Sequence, residues 1–173
     1  MDDWVAGGVH RDLIEVKRNL FDPLGLDCTL PRPESDNAEY RAFQFRVGGR
    51  RIRSRAARVT PTKSGLFVAV WRRASDGSTR PHESEDGVEV LVITVRDTGN
   101  FGQFVFSRDA LIEHGIVSVA GVGGKRGFRL YPPWSAVKSI QASRTQQWQS
   151  EHYISLDGGG EVSRTQASWI RYR

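Results

Sequence analysis

Apolar residues recur at helical spacing from His10 to Phe21, and Pro23 and Gly25 follow as stop signals. This pattern predicts a first helix. Segments 66–71 and 88–95 are instead apolar at nearly every position, which is typical of strands that are buried on both faces. The chain therefore mixes helices and strands in one sequence of ordinary domain length.

Two further helices follow from capping signals. Ser107 precedes the segment RDALIEH, which ends at Gly115, so a short helix is predicted there. Ser135 precedes a longer amphipathic segment, and we expect a helix over roughly 136–154. We predict a single α/β (α+β) domain over residues 1–156, with loose chain ends. A Gly- and Ser-rich flexible extension is expected over 157–173.

A tight hairpin is the sharpest local prediction. Segments 39–47 and 50–59 flank Gly48-Gly49, a two-residue loop typical of antiparallel hairpins. Counting outward from this loop puts Val47 opposite Arg50, Phe45 opposite Ile52 and Glu39 opposite Arg58 on one face. The other face pairs Arg46 with Arg51, Gln44 with Arg53 and Ala42 with Arg55. One face of the hairpin thus carries four arginines.

The positive charge of the chain is concentrated in one segment. The net charge is +5, but ten basic residues and no acid lie between Arg41 and Arg73, so the remaining chain carries −5. A basic module on a mildly acidic body is expected when the partner is a polyanion. Alternate residues on a strand lie about 6.6 Å apart, close to two nucleotide steps of about 3.4 Å. Arg51, Arg53 and Arg55 are therefore predicted to follow one phosphate backbone.

Other cations and one aromatic residue extend the predicted nucleic-acid site. The loop GVGGKRG at 121–127 has neither the P-loop nor the dinucleotide spacing, but it carries two cations on a flexible backbone. Trp134, fixed by the preceding Pro-Pro pair, is a candidate for stacking on a base. The predicted contacts are Arg46, Arg51, Arg53, Arg55, Arg58, Lys63, Lys125, Arg126 and Trp134.

Two alternative functions stay open. Glu39, with Asp36, and Lys63 could form a nuclease site that needs Mg²⁺ or Mn²⁺; an ion pair between Glu39 and Arg58 is the preferred role for that acid. The third hypothesis is a pocket for a small anionic ligand such as a nucleotide, where the T-P-T-K turn and the G-K-R-G loop converge. No other cofactor or metal is expected.

We expect neither a secretory signal nor a membrane-spanning segment in this sequence. The amino end, MDDW, is acidic, and the longest apolar runs are far too short to span a bilayer, so a cytoplasmic protein without membrane contact is predicted. A single cysteine, Cys28, cannot form an internal disulfide.

Several uncommon motifs follow one another along the chain: Glu39-Tyr40, Arg55, T-P-T-K at 60–63, Gly65, Phe67, W-R-R at 71–73, N-F-G-Q-F at 100–104, G-K-R-G at 124–127, Y-P-P-W at 131–134 and T-Q-Q-W-Q at 145–149. In this order and spacing they resemble the bacterial MepB family over about residues 10–154. The resemblance implies one domain with a mixed central sheet flanked by helices, similar to the restriction-endonuclease-like fold, and a role in binding nucleic acid.

One departure from that fold's nucleases bears on catalysis. Nucleases of that fold place an acid two residues before the lysine, where this chain has Pro61 before Lys63. The only Glu-x-Lys sequence, at 15–17, falls in the predicted first helix. A binding protein is therefore expected rather than a cleaving one.

Overall fold

The computed structural model describes residues 2–157 and Ser168. Except for Asp157 and Ser168, the predicted extension 157–173 lies outside the described residues. The α-helices are α1 (Asp3–Ala6), α2 (Arg11–Val16), α3 (Arg108–Glu113) and α4 (Ile140–Ser150). α2 continues as a π-helical turn over Lys17–Phe21, and a 3-10 turn spans Ala38–Tyr40. None of the described helices has the length and apolar character needed to cross a bilayer.

Thirteen short strands form four sheets in the described part of the chain. They are β1 (Arg32–Pro33), β2 (Phe43–Val47), β3 (Arg50–Ala56), β4 (Arg58–Val59), β5 (Leu66–Ala69), β6 (Arg72–Arg73), β7 (Thr79–Arg80), β8 (Val90–Asp97), β9 (Asn100–Ser107), β10 (Ser118–Val119), β11 (Val122–Gly123), β12 (Gly127–Leu130) and β13 (Tyr153–Ser155). The main sheet has the order β1-β2-β3-β8-β9-β13. Within residues 2–157 its one parallel pair is β3–β8, so the predicted mixed sheet is confirmed.

The predicted hairpin register is confirmed from the turn to Phe43. Phe45 lies opposite Ile52, and Arg46 lies opposite Arg51. Gly48 and Gly49 both have positive φ, which a tight two-residue hairpin turn requires and which glycine adopts without steric cost. The hairpin therefore carries Phe45 and Ile52 on one face and Arg46, Arg51 and Arg53 on the other, as expected from the period of two.

Beyond Phe43 the strand prediction is wrong. Pairing ends with Phe43 opposite Ser54, so the predicted cross-strand positions of Ala42 opposite Arg55 and of Glu39 opposite Arg58 do not form. Arg41 has a left-handed backbone with φ of 50°, directly after the 3-10 turn that contains Glu39. A residue in that conformation cannot continue an extended strand.

Each face of the main sheet packs on a core. On one face, α1, α2 and the π-helical turn cover Phe45, Ile52 and Val92. Trp4 of α1 is 2% exposed and its ring lies 5.3 Å from that of Phe45. The expectation of a loose amino end is therefore wrong, because one buried aromatic ring fixes the short helix α1.

The second core lies under a smaller antiparallel sheet, β12-β5-β4, and under α4. It packs the β8 and β9 side chains Ile93, Phe104 and Phe106 against Val68 and Leu130. The smaller sheet covers only the β8–β9 half of this face, which leaves the β2–β3 half open.

The predicted short helix α3 is confirmed, with the Ser107 hydroxyl accepting from the Ala110 N–H. The predicted long helix is wrong at both ends. It is capped by Ser139 rather than Ser135, and it ends at Ser150. Residues 153–155 form β13 on the edge of β9, where Ile154 is buried in the first core.

Candidate nucleic-acid interface

Two adjoining depressions of about 580 and 530 Å³ lie over the open half of the main sheet. They share Arg32, Gln44, Arg53 and Asp86, and we call them together the arginine groove. Among the described residues, six arginines line this groove: Arg32, Arg46, Arg51, Arg53, Arg55 and Arg72. Glu34, Asp36 and Asp86 also line it, so its formal charge is +3 when His82 is neutral.

The floor of the groove is an ion cluster around Glu34. Arg53 Nε donates to one carboxylate oxygen at 2.8 Å, and Arg55 Nη1 pairs with the other. Gln44 donates its side-chain amide to the first oxygen. The Glu34 N–H donates to the Ala42 carbonyl at 2.9 Å, which fixes this loop beside the hairpin. One carboxylate therefore binds two of the four predicted arginines.

Burial and charge oppose each other at Glu34. Burial disfavours its ionised form, but the charges of Arg55 and Arg53 outweigh that effect, so the pKa of Glu34 lies below its ordinary value. Arg55 itself is only 1% exposed. The ion pair is buried because the second core begins immediately beside it, with Ile93 of β8 in register with Arg55.

A histidine and an aspartate continue the floor. Arg53 Nη1 lies 2.8 Å from His82 Nδ1, and His82 Nδ1 also lies 3.0 Å from Asp86 Oδ2. Burial and the charge of Arg53 lower the pKa of His82 to about 4. His82 is therefore neutral at pH 7 and adds no positive charge to the groove. Asp86 Oδ2 also lies 3.7 Å from Arg72 Nε.

The rim of the groove carries the more open cations. Arg46 has an exposed side chain, and its Nη1 donates to the Gly49 carbonyl at 2.9 Å. The Arg51 side chain is 56% exposed, with its Nε 3.9 Å from Glu89. Arg32 is exposed and forms no ion pair within the described residues. These three guanidinium groups face solvent, whereas Arg53 and Arg55 are held inside.

The remaining predicted residues lie outside the groove. Arg58 is 61% exposed and forms the predicted ion pair with Glu39, at 3.9 Å. Lys63 is exposed in the turn after β4, and Arg126 donates Nε to the Thr79 carbonyl at 3.1 Å. Lys125 lines a separate pocket.

Trp134 packs against the second core rather than standing free. Its ring meets that of Tyr153 edge-on, with centroids 5.8 Å apart. Its indole N–H is buried without a hydrogen-bond partner among the described residues. Trp134 is half-buried, and its role as a stacking platform stays a prediction.

A metal site has no support in the described part of the chain, where no group of three or more His, Cys, Asp or Glu side chains is placed to hold an ion. The Glu39 side chain is 79% exposed. Neither Glu39 nor Lys63 lines one of the pockets above. The nuclease hypothesis stays a prediction that incubation of plasmid with Mg²⁺ or Mn²⁺ decides, with Glu39→Ala as control.

Sequence reasoning missed Glu34, Arg32, Arg72, His82 and Asp86. Glu34 lies in a proline-rich loop, PRPES, that has no strand or helix period. The sequence offered one hint of its role: Glu34 is an acid that precedes the acid-free basic segment. Its partners Arg53 and Arg55 follow about twenty residues later, so no local spacing links the three residues.

Comparisons with known proteins give one family. The model of the MepB-like family matches residues 34–155. A solved structure described as the crystal structure of MepB is 28% identical, over 89% of this chain and 99% of that chain, with a TM-score of 0.74. A bacterial homing endonuclease is 15% identical, over 79% of this chain and 84% of that chain, with a TM-score of 0.43. A search of curated protein sequences finds no match.

The family match covers most of the groove. Residues 34–155 include Glu34, both strands of the hairpin, His82 and Asp86. Because the family model spans well over half of the sequence, the chain belongs to the MepB-like family.

Proposed function

We propose that this protein binds nucleic acid by its phosphate backbone, with the rim of the arginine groove making the contacts. The observation that supports this most strongly is the pairing of Arg46 directly opposite Arg51 on the open face of the sheet. Like charges directly opposite each other on a sheet are destabilising, since their Cβ atoms lie only about 5 Å apart. A bound anion relieves that repulsion.

The shape of the rim favours a chain of anions over a single one. Arg32 on β1 lies opposite Gln44 on β2, and Gln44 is two residues along β2 from Arg46 of the Arg46–Arg51 pair. Three exposed guanidinium groups thus extend along an open groove. Arginine binds phosphate oxygens through a planar, permanently charged fork, which suits a backbone that carries one charge at each step.

The ion pairs on the floor set the size of the electrostatic effect. Glu34 holds Arg53 and Arg55, so we count Arg32, Arg46 and Arg51 as the phosphate contacts. Three neutralised phosphates predict that affinity for duplex DNA falls about 40-fold between 50 and 200 mM salt. Six contacts would predict a fall of about 10³-fold or more. The salt slope therefore measures how many of the groove's arginines are open.

The proposal is tested with the double variant Arg46→Ala/Arg51→Ala. Binding of labelled duplex DNA, single-stranded DNA and RNA is followed by fluorescence anisotropy over a salt series. We expect weaker binding to unrelated sequences alike, and a salt slope that is smaller by about two for duplex DNA. Arg144→Ala is the matched control, because Arg144 is an exposed arginine on α4 that does not line the groove.

Two results would contradict the proposal. Affinity that does not change with salt excludes a phosphate-backbone role. Loss of binding to one sequence only would mean that the two arginines read bases rather than phosphates. Comparison of the three polymers also decides between DNA and RNA.

A further inference from the structure

A second pocket, of about 410 Å³, lies between α4 and β12 and shares no lining residue with the arginine groove. Three of the motifs behind the family resemblance meet there: G-K-R-G supplies Lys125, Y-P-P-W supplies Tyr131, and T-Q-Q-W-Q supplies Thr145 and Trp148. We call it the aromatic pocket. Its volume is at the small end of the range for ligand sites, about 300–1,000 Å³.

One wall of the aromatic pocket is a rigid pair of stacked rings. The imidazole of His114 and the indole of Trp148 are nearly parallel, 7° apart, with centroids separated by 3.8 Å. Trp148 also packs against Phe106 of the second core, at 5.5 Å. Both stacked residues are only partly buried. A rigid aromatic pair that stays partly exposed suits contact with a planar aromatic ligand.

The pocket is also positively charged. Lys125 and Arg129 line it, and no carboxylate does among its described lining residues. Arg129 is fixed by bonds to the Thr60 hydroxyl and the Ser64 carbonyl, at 2.9 and 3.1 Å, so the T-P-T-K turn is tied to this wall. Lys125 forms no ion pair within the described residues. Its ammonium group is therefore available to an anionic ligand, in contrast to the floor arginines of the groove.

The side of the pocket that carries Trp148 is one face of α4. Gln141, Thr145 and Trp148 are spaced i, i+4 and i+7, which places them on the same side of the helix. Gln149 fixes this helix to β12: it accepts from the Tyr131 N–H at 2.8 Å and donates to the Arg129 carbonyl at 2.9 Å. The pocket is thus preformed, which lowers the entropy cost of binding.

We propose that the aromatic pocket binds a nucleotide, with the base against the Trp148–His114 wall and the phosphate at Lys125. The Thr145 hydroxyl offers a polar contact between these two ends. This site shares no lining residue with the groove, so nucleotide binding can be tested separately from the proposed nucleic-acid binding. A free mononucleotide and the terminal nucleotide of a strand present the same base and phosphate.

The experiment titrates the full chain with AMP, GMP, CMP and UMP by isothermal calorimetry, and in parallel with adenosine and inorganic phosphate. We expect at least one monophosphate to bind more tightly than either fragment. Lys125→Glu should weaken that binding by about tenfold or more, the effect of losing an ion pair and adding repulsion. Lys138→Glu is the matched control: an exposed lysine that makes the same charge change outside the pocket, expected to change affinity less than about twofold.

Four results overturn the proposal. The first is that no monophosphate binds at millimolar concentration, and the second is that inorganic phosphate binds as tightly as the monophosphates. The third is that Lys125→Glu and Lys138→Glu lose the same amount of monophosphate affinity. The fourth is that the groove variant Arg46→Ala/Arg51→Ala loses monophosphate binding while Lys125→Glu keeps it. When monophosphate binds as expected, competition with a short oligonucleotide in that groove variant identifies the source. Displacement indicates a strand terminus, and no displacement indicates a free mononucleotide.

Discussion

The two halves of one sheet face differ sharply although they are neighbours in register. On the β8–β9 half, Leu91 and Ile93 are buried beneath the smaller sheet. On the β2–β3 half, the residues directly beside them are Arg53 and Arg55. Neighbouring strands of the parallel β3–β8 pair thus carry guanidinium groups on β3 and apolar core residues on β8. The difference shows that cover by the smaller sheet, rather than the strand itself, decides whether each half of the face is a buried core or an open surface.

The boundary between the halves is where charge is buried. Arg55 is almost wholly enclosed, and Glu34 compensates its charge from the loop beside the hairpin. A buried ion pair seldom stabilises more than an apolar pair of the same shape, but removing one partner is costly. Glu34 therefore fixes the position of the boundary while also reducing the charge of the groove.

The largest effect is expected in the covered half. Phe104→Ala should lower the free energy of unfolding by about 4 kcal/mol, because it removes a wholly buried ring that stacks on Phe106. Urea unfolding measures this cost. Arg51→Ala, the matched change in the open half, should alter stability by less than about 0.5 kcal/mol, because the relieved repulsion with Arg46 and the weaker strand preference of alanine offset each other. Similar costs for both variants would remove the distinction between the halves.

At the boundary, Glu34→Ala should lower the free energy of unfolding by about 3 kcal/mol, because it leaves Arg55 buried without its carboxylate. The double variant Glu34→Ala/Arg55→Leu should recover much of that loss, since the wholly buried charge of Arg55 is removed together with its partner. Urea unfolding of the two variants gives the comparison. If the double variant were less stable than the single one, Arg55 would not depend on Glu34 for its burial.

The smallest effect is expected in the open half. Arg46→Thr should raise the free energy of unfolding by up to about 1 kcal/mol, because it removes a like charge opposite Arg51 and introduces a residue that favours strands. The same variant should bind nucleic acid more weakly under the proposed function. Thermal unfolding and anisotropy on one sample test both effects, and a loss of stability would show that Arg46 contributes packing rather than repulsion.

Much of the hairpin could be predicted from the sequence alone. Gly48-Gly49 fixed the register, and the period of two separated Phe45 and Ile52 from Arg46 and Arg51. Helices 11–21 and 108–113 followed from apolar spacing and a serine cap. These features depend on residues close together in the chain, where backbone sterics and local hydrogen bonds decide the structure.

Local patterns failed where distant segments compete for the same residues. Residues 153–155 continue a helical pattern but gain more as an edge strand, because β9 offers hydrogen bonds and Ile154 enters a core. Trp134 packs on Tyr153, which lies nineteen residues away. Glu34 meets Arg53 and Arg55 only when β1 lies beside β2.

The sequence determined by itself that one basic face would exist, because side chains alternate along a strand whatever surrounds it. Only the tertiary structure decided which of those arginines are open to a partner. Burial and ion pairing depend on what covers a strand, and that cover comes from β5, β12 and the Glu34 loop. A periodic pattern specifies which face a side chain occupies but contains no information about the neighbour that meets it there.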